Sequence, residues 1–210
     1  MVGRSELDFV YSNAIFSPEN ALVGYKVFAR PSGDAIKGQI VVLEGTAPRA
    51  LKDLEGKDVS FPALTGFIGY IVPMNALLKT GVKVHPLLAG NLEGSMTQLK
   101  VGRVVAAGVN SQVMFEYAQR EGIKYRVLWS SEGYLNLPIS AHPSIPPNIV
   151  AAIRSAFLGM TKDPEGIKIL EASAAVIKQN PPYGFIRAQD QEYSNYRTFY
   201  KHSQVKELTK

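Results

Sequence analysis

The sequence predicts an α/β fold built on a mostly parallel sheet covered by helices. Three observations carry that expectation. Between Leu54 and Trp129, apolar runs of strand length alternate with helix-length segments through short links, the pattern of strand–helix–strand units. Val104-Val105-Ala106-Ala107-Gly108-Val109 has no polar side chain, as a strand buried on both faces requires. Gly81, Gly102 and Gly122 each follow a helical pattern, where a left-handed residue ends a helix.

The elements follow in order. Leu7 to Tyr11 reads as a buried strand ended by Ser12-Asn13. Leu22 to Ala29 and Gln39 to Leu43 read as strands joined by the turn Pro31-Ser32-Gly33-Asp34. Pro48 to Leu54 is a short helix, Val59 to Phe61 a strand, Ile68 to Thr80 a helix and Val82 to Ala89 a strand. Leu92 to Val101 is helical, Val104 to Val109 a strand, Ser111 to Arg120 a helix and Tyr125 to Trp129 a strand. Tyr134 to Ala141 is extended. Pro147 to Leu158 is a helix with proline at its start, where its missing N–H costs nothing. Glu165 to Ala172 is helical, and Gln189 to Val205 mostly so. Asp163 and Glu165 read as helix-start acids rather than an acid–base pair.

Composition removes several function classes. The 210 residues are 46% hydrophobic and 20% charged, an ordinary globular balance. The net charge of +5 comes from scattered basic residues, densest in Lys201 to Lys210, with no basic stripe that would mark a nucleic-acid binder. The absence of cysteine removes disulfides, thiol catalysis and cysteine metal sites. No apolar run is long enough to span a bilayer. Met1 to Glu6 has no apolar core, so the sequence carries no secretion signal of its own. His85, His142 and His202 lie too far apart for a metal pair, and no cofactor is expected. Gly66 to Gly69 lacks the Gly-Lys-Ser/Thr ending of a nucleotide loop, and no nucleophile elbow occurs. Tyr193, Tyr196, Phe199 and Tyr200, at helical spacing, read as a packing face. No residue is expected to be catalytic.

The segment Phe61 to Pro73 is the most informative. An apolar strand runs into a glycine-marked turn with a helix behind it. Such a helix start offers unpaired N–H groups and a positive dipole end, a natural anion cradle. Yet the turn carries Phe67 and Ile68 where an anion site would want hydroxyls.

Four stretches together resemble the periplasmic phosphate/phosphonate-binding proteins of ABC transporters. They are Ser5 to Asn13, Leu51 to Val59, Gly69-Tyr70-Ile71-Val72-Pro73, and Phe185 to Tyr193 with Arg197. The resemblance covers residues 5 to 200. It implies a type II periplasmic-binding-protein-like α/β fold of two lobes joined by a double-crossover hinge, with 1–45 plus 132–210 as the first lobe and 46–131 as the second. It also implies further first-lobe strands and helices ahead of the segment that opens this sequence. The expectation is a first lobe incomplete at its N-terminus, naturally or by truncation, with an exposed edge that invites self-association.

Members bind an oxyanion between the lobes, and the resemblance places the corresponding positions. A Ser-Thr-Ser run falls on Gly66, Phe67 and Ile68, beside Thr65. A histidine falls on Leu92, after Asn91; two acidic positions fall on Val105 and Leu137; a Gly-Pro pair falls on Ser12-Asn13. Tyr11 and Tyr70 match aromatic positions at the ligand or hinge, and Tyr134 and Asn136 lie near the crossover. Asn110, Ser111, Glu132 and Glu93 are further polar groups near the expected cleft, Glu93 as a first-turn acid.

The side-chain donors of the family are thus largely replaced by apolar groups. Either the cleft takes a less charged or apolar small molecule, or these residues are core and the site uses others. The reading is a non-enzymatic, extracytoplasmic solute-binding protein that closes around its ligand and presents it to a membrane permease. The alternative is a ligand-free adaptor or an input to a membrane sensor, on the same scaffold.

Overall fold

A computed structural model describes residues 2–4, 6–177 and 181–205. Ser5 of the opening motif and 206–210 of the basic C-terminal stretch lie outside the described residues. The chain divides into two compact units, one of 1–35 with 134–202, the other of 36–133 with the segment from Ser203 onward.

The first unit holds a four-stranded antiparallel sheet in the order β1-β8-β2-β9. Its strands are β1 (Phe9–Tyr11), β8 (Ile139–Ala141), β2 (Lys26–Pro31) and β9 (Phe185–Arg187). Phe9 sits opposite Ala141 and Tyr11 opposite Ile139. Phe28, Ala29, Ile139 and Ala141 form one buried face, covered by Val150, Ile153 and Phe157 of α5 (Pro147–Gly159). α6 (Pro164–Ile177) starts where Asp163 accepts the Gly166 N–H at 2.7 Å, the capping role expected of that acid. An aromatic cluster joins Phe16, Tyr134, Tyr193 and Tyr196, with Phe16 and Tyr193 stacked at 5.1 Å. Tyr196 belongs to α7 (Ser194–His202), so the tyrosines expected to form a packing face do. Short turns at Asn13–Phe16 and in α1 (Pro18–Ala21) precede β2, which begins at Lys26 rather than at Leu22.

The second unit is the helix-covered sheet expected from the alternation, in the order β5-β4-β6-β3-β7. Its strands are β3 (Ile36–Leu43), β4 (Asp58–Phe61), β5 (His85–Leu88), β6 (Ala106–Asn110) and β7 (Tyr125–Tyr134). β4 runs parallel to β5 and β6, and β3 antiparallel to β6. Central β6 is buried from Ala106 to Val109, which is why its sequence is apolar throughout. On one face α3 (Leu92–Lys100) and α4 (Ser111–Glu121) pack Met96, Leu99, Met114 and Tyr117 against Val41, Ala107 and Val109.

Two expectations change. β3, expected with β2 in the first lobe, hydrogen-bonds to β6 in the second unit, so the Pro31–Asp34 turn does not close a hairpin. The last described residues belong to the second unit, where buried Asn75 accepts the Gln204 N–H at 2.8 Å and Val205 is buried.

Candidate functional site

The parallel strands β4, β5 and β6 each deliver a helix start at their C-terminal ends, the edge where open α/β sheets build ligand sites. The three starts differ. Asn91 caps α3, its Oδ1 accepting the Gly94 N–H at 2.7 Å. Asn110 caps α4, accepting from Gln112 at 2.9 Å and Val113 at 3.3 Å. The start after β4 has no side-chain cap: Gly66 opens it, followed by a π turn at Phe67–Ile71 and then α2 (Val72–Lys79).

The π turn has a local cause. In an α-helix Gly69 C=O would accept from residue 73, but Pro73 has no N–H, and its ring would strike that carbonyl. Widening by one residue relieves the conflict: Ile71 N–H reaches back to Gly66 C=O at 3.0 Å and Val72 N–H to Phe67 C=O. The turn then lies directly on the sheet. A Cβ on Gly108 would stand 2.6 Å from Gly69 O and 2.4 Å from Phe61 Cδ1; one on Gly38 would stand 2.8 Å from Ile68 O. Gly69 itself is closed in, since its Cβ would meet Pro62 Cγ at 2.7 Å and Leu92 Cδ2 at 3.0 Å. Thus Leu92, on which the family's histidine position falls, packs against the turn.

Within the second unit the structure therefore brings together Thr65, Gly66, Phe67, Ile68, Tyr70, Asn91 and Leu92. Thr65 and Asn91 are exposed and Leu92 is half-buried. Phe67 is 3% exposed and Ile68 8%, so both side chains are interior groups. Tyr70 is also buried, with its ring edge-on to Phe61 at 5.3 Å. Asn91 and Asn110 spend their amide oxygens on capping, and Ser111 Oγ accepts the Lys37 N–H at 3.0 Å. Val105 is half-buried, its N–H donating to Asp58 C=O at 3.1 Å. Glu93 accepts from the Arg120 guanidinium at 2.8 Å, a tie between α3 and α4 that a first-turn role did not foresee.

The remaining candidates lie in the first unit. Tyr11 ends β1 and is 53% exposed, although the atoms around its phenol still exclude enough water to raise its pKa. Ser12 caps the 13–16 turn, its Oγ accepting the Ala14 N–H at 3.0 Å, and its own N–H donates to Pro138 C=O. Asn13 hydrogen-bonds the Tyr196 hydroxyl. Tyr134 is buried in the aromatic cluster, edge-on to Tyr196 at 5.0 Å. Asn136 accepts the Leu137 N–H on its own side chain at 2.8 Å, and its C=O accepts from the Tyr193 hydroxyl at 2.8 Å. The Tyr196 hydroxyl donates to Leu135 C=O at 2.6 Å. Segment 135–137 is therefore held by two buried tyrosines, a role that sequence spacing did not assign to them. His142 is half-buried, edge-on to the Tyr25 ring at 5.4 Å.

Among the described residues no group of three or more His, Asp or Glu could hold a metal ion, and no helix is long and apolar enough to cross a membrane.

Comparisons with known proteins bear on this arrangement. The model of the family described as "ABC transporter, phosphonate, periplasmic substrate-binding protein" matches residues 1–193. A comparison with curated protein sequences finds no match. Among solved structures, PhnD1 of Prochlorococcus marinus in complex with methylphosphonate is similar at 18% identity and TM-score 0.72, covering 95% of this chain and 79% of that one. A binding-protein component of the Pseudomonas aeruginosa ABC phosphonate transporter is similar at 15% identity and TM-score 0.69, over 95% of this chain and 70% of that one. The periplasmic aliphatic sulphonate binding protein SsuA of Escherichia coli is similar at 16% identity and TM-score 0.58, over 95% and 76%.

Proposed function

Because the chain belongs to the periplasmic substrate-binding family of phosphonate ABC transporters and has the type II periplasmic-binding fold, we propose that it is an extracytoplasmic solute receptor for a ligand less charged than a phosphonate. The observation that carries this reading is the uncapped π turn at 66–71, which has no hydroxyl side chain at positions 66 to 68 and has Leu92 packed against Gly69. A phosphonate dianion there would lose water without gaining the charge-assisted donors that oxyanion sites use. The turn still points helix-start N–H groups and a positive dipole end at its opening, which suits one acceptor atom on an otherwise apolar molecule. Thr65 Oγ1 would hold that acceptor, the Gly66 N–H being engaged by Ala63 C=O at 3.0 Å, and Leu92 would pack on the apolar body. The loaded protein would hand its ligand to an ABC permease, as its family does. No chemistry on the ligand is part of this reading.

The near-complete burial of Phe67 and Ile68 favours a second reading. The same scaffold, its pocket filled by its own side chains, would then serve as a ligand-free adaptor or sensor input.

Thermal unfolding against phosphate, phosphonates, sulfate and small apolar or aromatic compounds separates the two. A true ligand at a hundredfold excess over its dissociation constant stabilises by about 2.7 kcal/mol. Stabilisation by weakly polar compounds is the expected result. Stabilisation by phosphonates alone would overturn the altered ligand, and none by any compound would favour the adaptor.

A further inference from the structure

We infer that a cavity in the first unit, between the ends of β2 and β8 and the start of α5, binds a small amphiphilic carboxylate, an apolar body carrying one negative charge. The inference goes beyond the receptor reading, and either can fail alone. β2 and β8 pair antiparallel, with Lys26 opposite Ala141. These are the strand ends away from the crossings at 35–36 and 133–134, where the chain passes to the second unit. α5 lies on the same face, where Val150 packs on the cluster of Phe28 and Ala141. Strand ends, connecting turn and helix leave a cavity of about 540 Å³, a usual size for a small-molecule site.

The lining has two chemical parts. Phe28, Ile145 and Val150 supply an apolar wall, while Lys26, His142 and Arg154 bring basic groups. No acidic residue is among the described residues that line it.

Arg154 carries the argument. It follows Val150 by four residues, so it lies on the same face of α5, one turn further on. It is half-buried, yet it makes no hydrogen bond, ion pair or ring contact with any described residue. A guanidinium drawn partly out of water loses hydration, and arginines so placed normally have a partner. The other two basic groups differ. The Lys26 ammonium is 4.0 Å from the Asp190 carboxylate, which already answers part of its charge. His142 Nδ1 accepts the Ser144 N–H at 3.2 Å and lies 2.7 Å from Ser144 Oγ, so the ring proton sits on Nε2 as a donor. α5 also begins without a side-chain cap, and Pro147 of that start lines the cavity, adding a positive dipole end. One unmatched guanidinium beside one N–H donor suits a carboxylate, which arginine grips through two parallel bonds. A dianion would call for a second unmatched cation, and Lys26 is engaged by Asp190. The apolar wall suits a hydrocarbon or aryl body.

Titration of the full chain with decanoate, followed by calorimetry and residue-resolved amide shifts, tests the inference. The expected result is saturable single-site binding that moves the amides of Phe28, His142 and Arg154. Acetate lacks the apolar body and decanol lacks the charge; each should bind about tenfold more weakly or worse. Arg154→Gln, at a position with no partner to lose, should weaken decanoate by about tenfold or more with unchanged circular dichroism, and Arg154→Lys should recover part of that loss. No saturable decanoate binding would overturn the inference, as would decanol binding as tightly as decanoate, or equal binding by the wild type and Arg154→Gln. Decanoate that moves the Thr65 to Tyr70 amides and leaves those of Phe28, His142 and Arg154 in place would also overturn it, and would support the receptor reading instead.

Discussion

Gly108 and Gly69 decide how closely the π turn approaches β6. A side chain at Gly108 would meet backbone and a buried ring at under 3 Å, neither able to withdraw. Gly108→Ala is therefore expected to lower unfolding stability by about 2–3 kcal/mol in urea titration, as overpacking does elsewhere. The turn's side chains allow a sharper test. Phe67→Ser combined with Ile68→Thr replaces two buried apolar groups with hydroxyls, at a cost of about 3 kcal/mol or more. If the turn is the ligand's contact, this double variant gains phosphonate affinity in calorimetry; unchanged affinity would place the ligand elsewhere. At this scale the sequence was legible in part. The apolar replacements at 67, 68 and 92 could be read directly, because a residue type is visible in a sequence. That Asn91 and Asn110 spend their oxygens on caps could not, since capping depends on where each helix begins.

Secondary-structure elements show the same division. β6 and its flanking helices were readable because a strand buried on both faces has no polar residue to place. The π turn was not, although its cause, Pro73 four residues after Gly69, lies in plain sight; periodicity cannot distinguish a widened turn from an ordinary one. β9 has three residues, too few for any alternation to register. α7 is where pH should act. Burial pushes the Tyr200 hydroxyl up to about 12 from its ordinary 10.0, and raises Tyr193 and Tyr196 further. The unfolded chain gives up these protons first. Stability present below pH 10 should thus fall as pH rises toward 12, and Tyr200→Phe should flatten that fall. Denaturant midpoints across this range would check it; parallel curves for the variant and the wild type would contradict it. A simpler test concerns the cap of α4. Asn110→Ala is expected to lower stability by about 1 kcal/mol in the same titration.

For the whole molecule, the alternation of strands and helices was enough to foresee an α/β chain, and its division into two parts was implied only by the family resemblance. It was not enough to place the boundaries. β3 follows a turn signal that ordinarily closes a hairpin, yet its partners are β6 and β7, more than sixty positions further along. Strand partners over such distances leave no local mark. The return of Ser203 to Val205 to the second unit was equally invisible, because one buried asparagine and one valine fix it. That return matters to anyone who handles the protein. A short C-terminal deletion is usually treated as harmless. Here the last described residues seal Asn75, and removing everything from Ser203 onward would leave its amide oxygen without two donors and strip Val205 from the interior. Any shortened form of this chain should keep Ser203 to Val205, and a binding assay run on a chain trimmed before Ser203 would report on a weakened second unit instead of on its ligand.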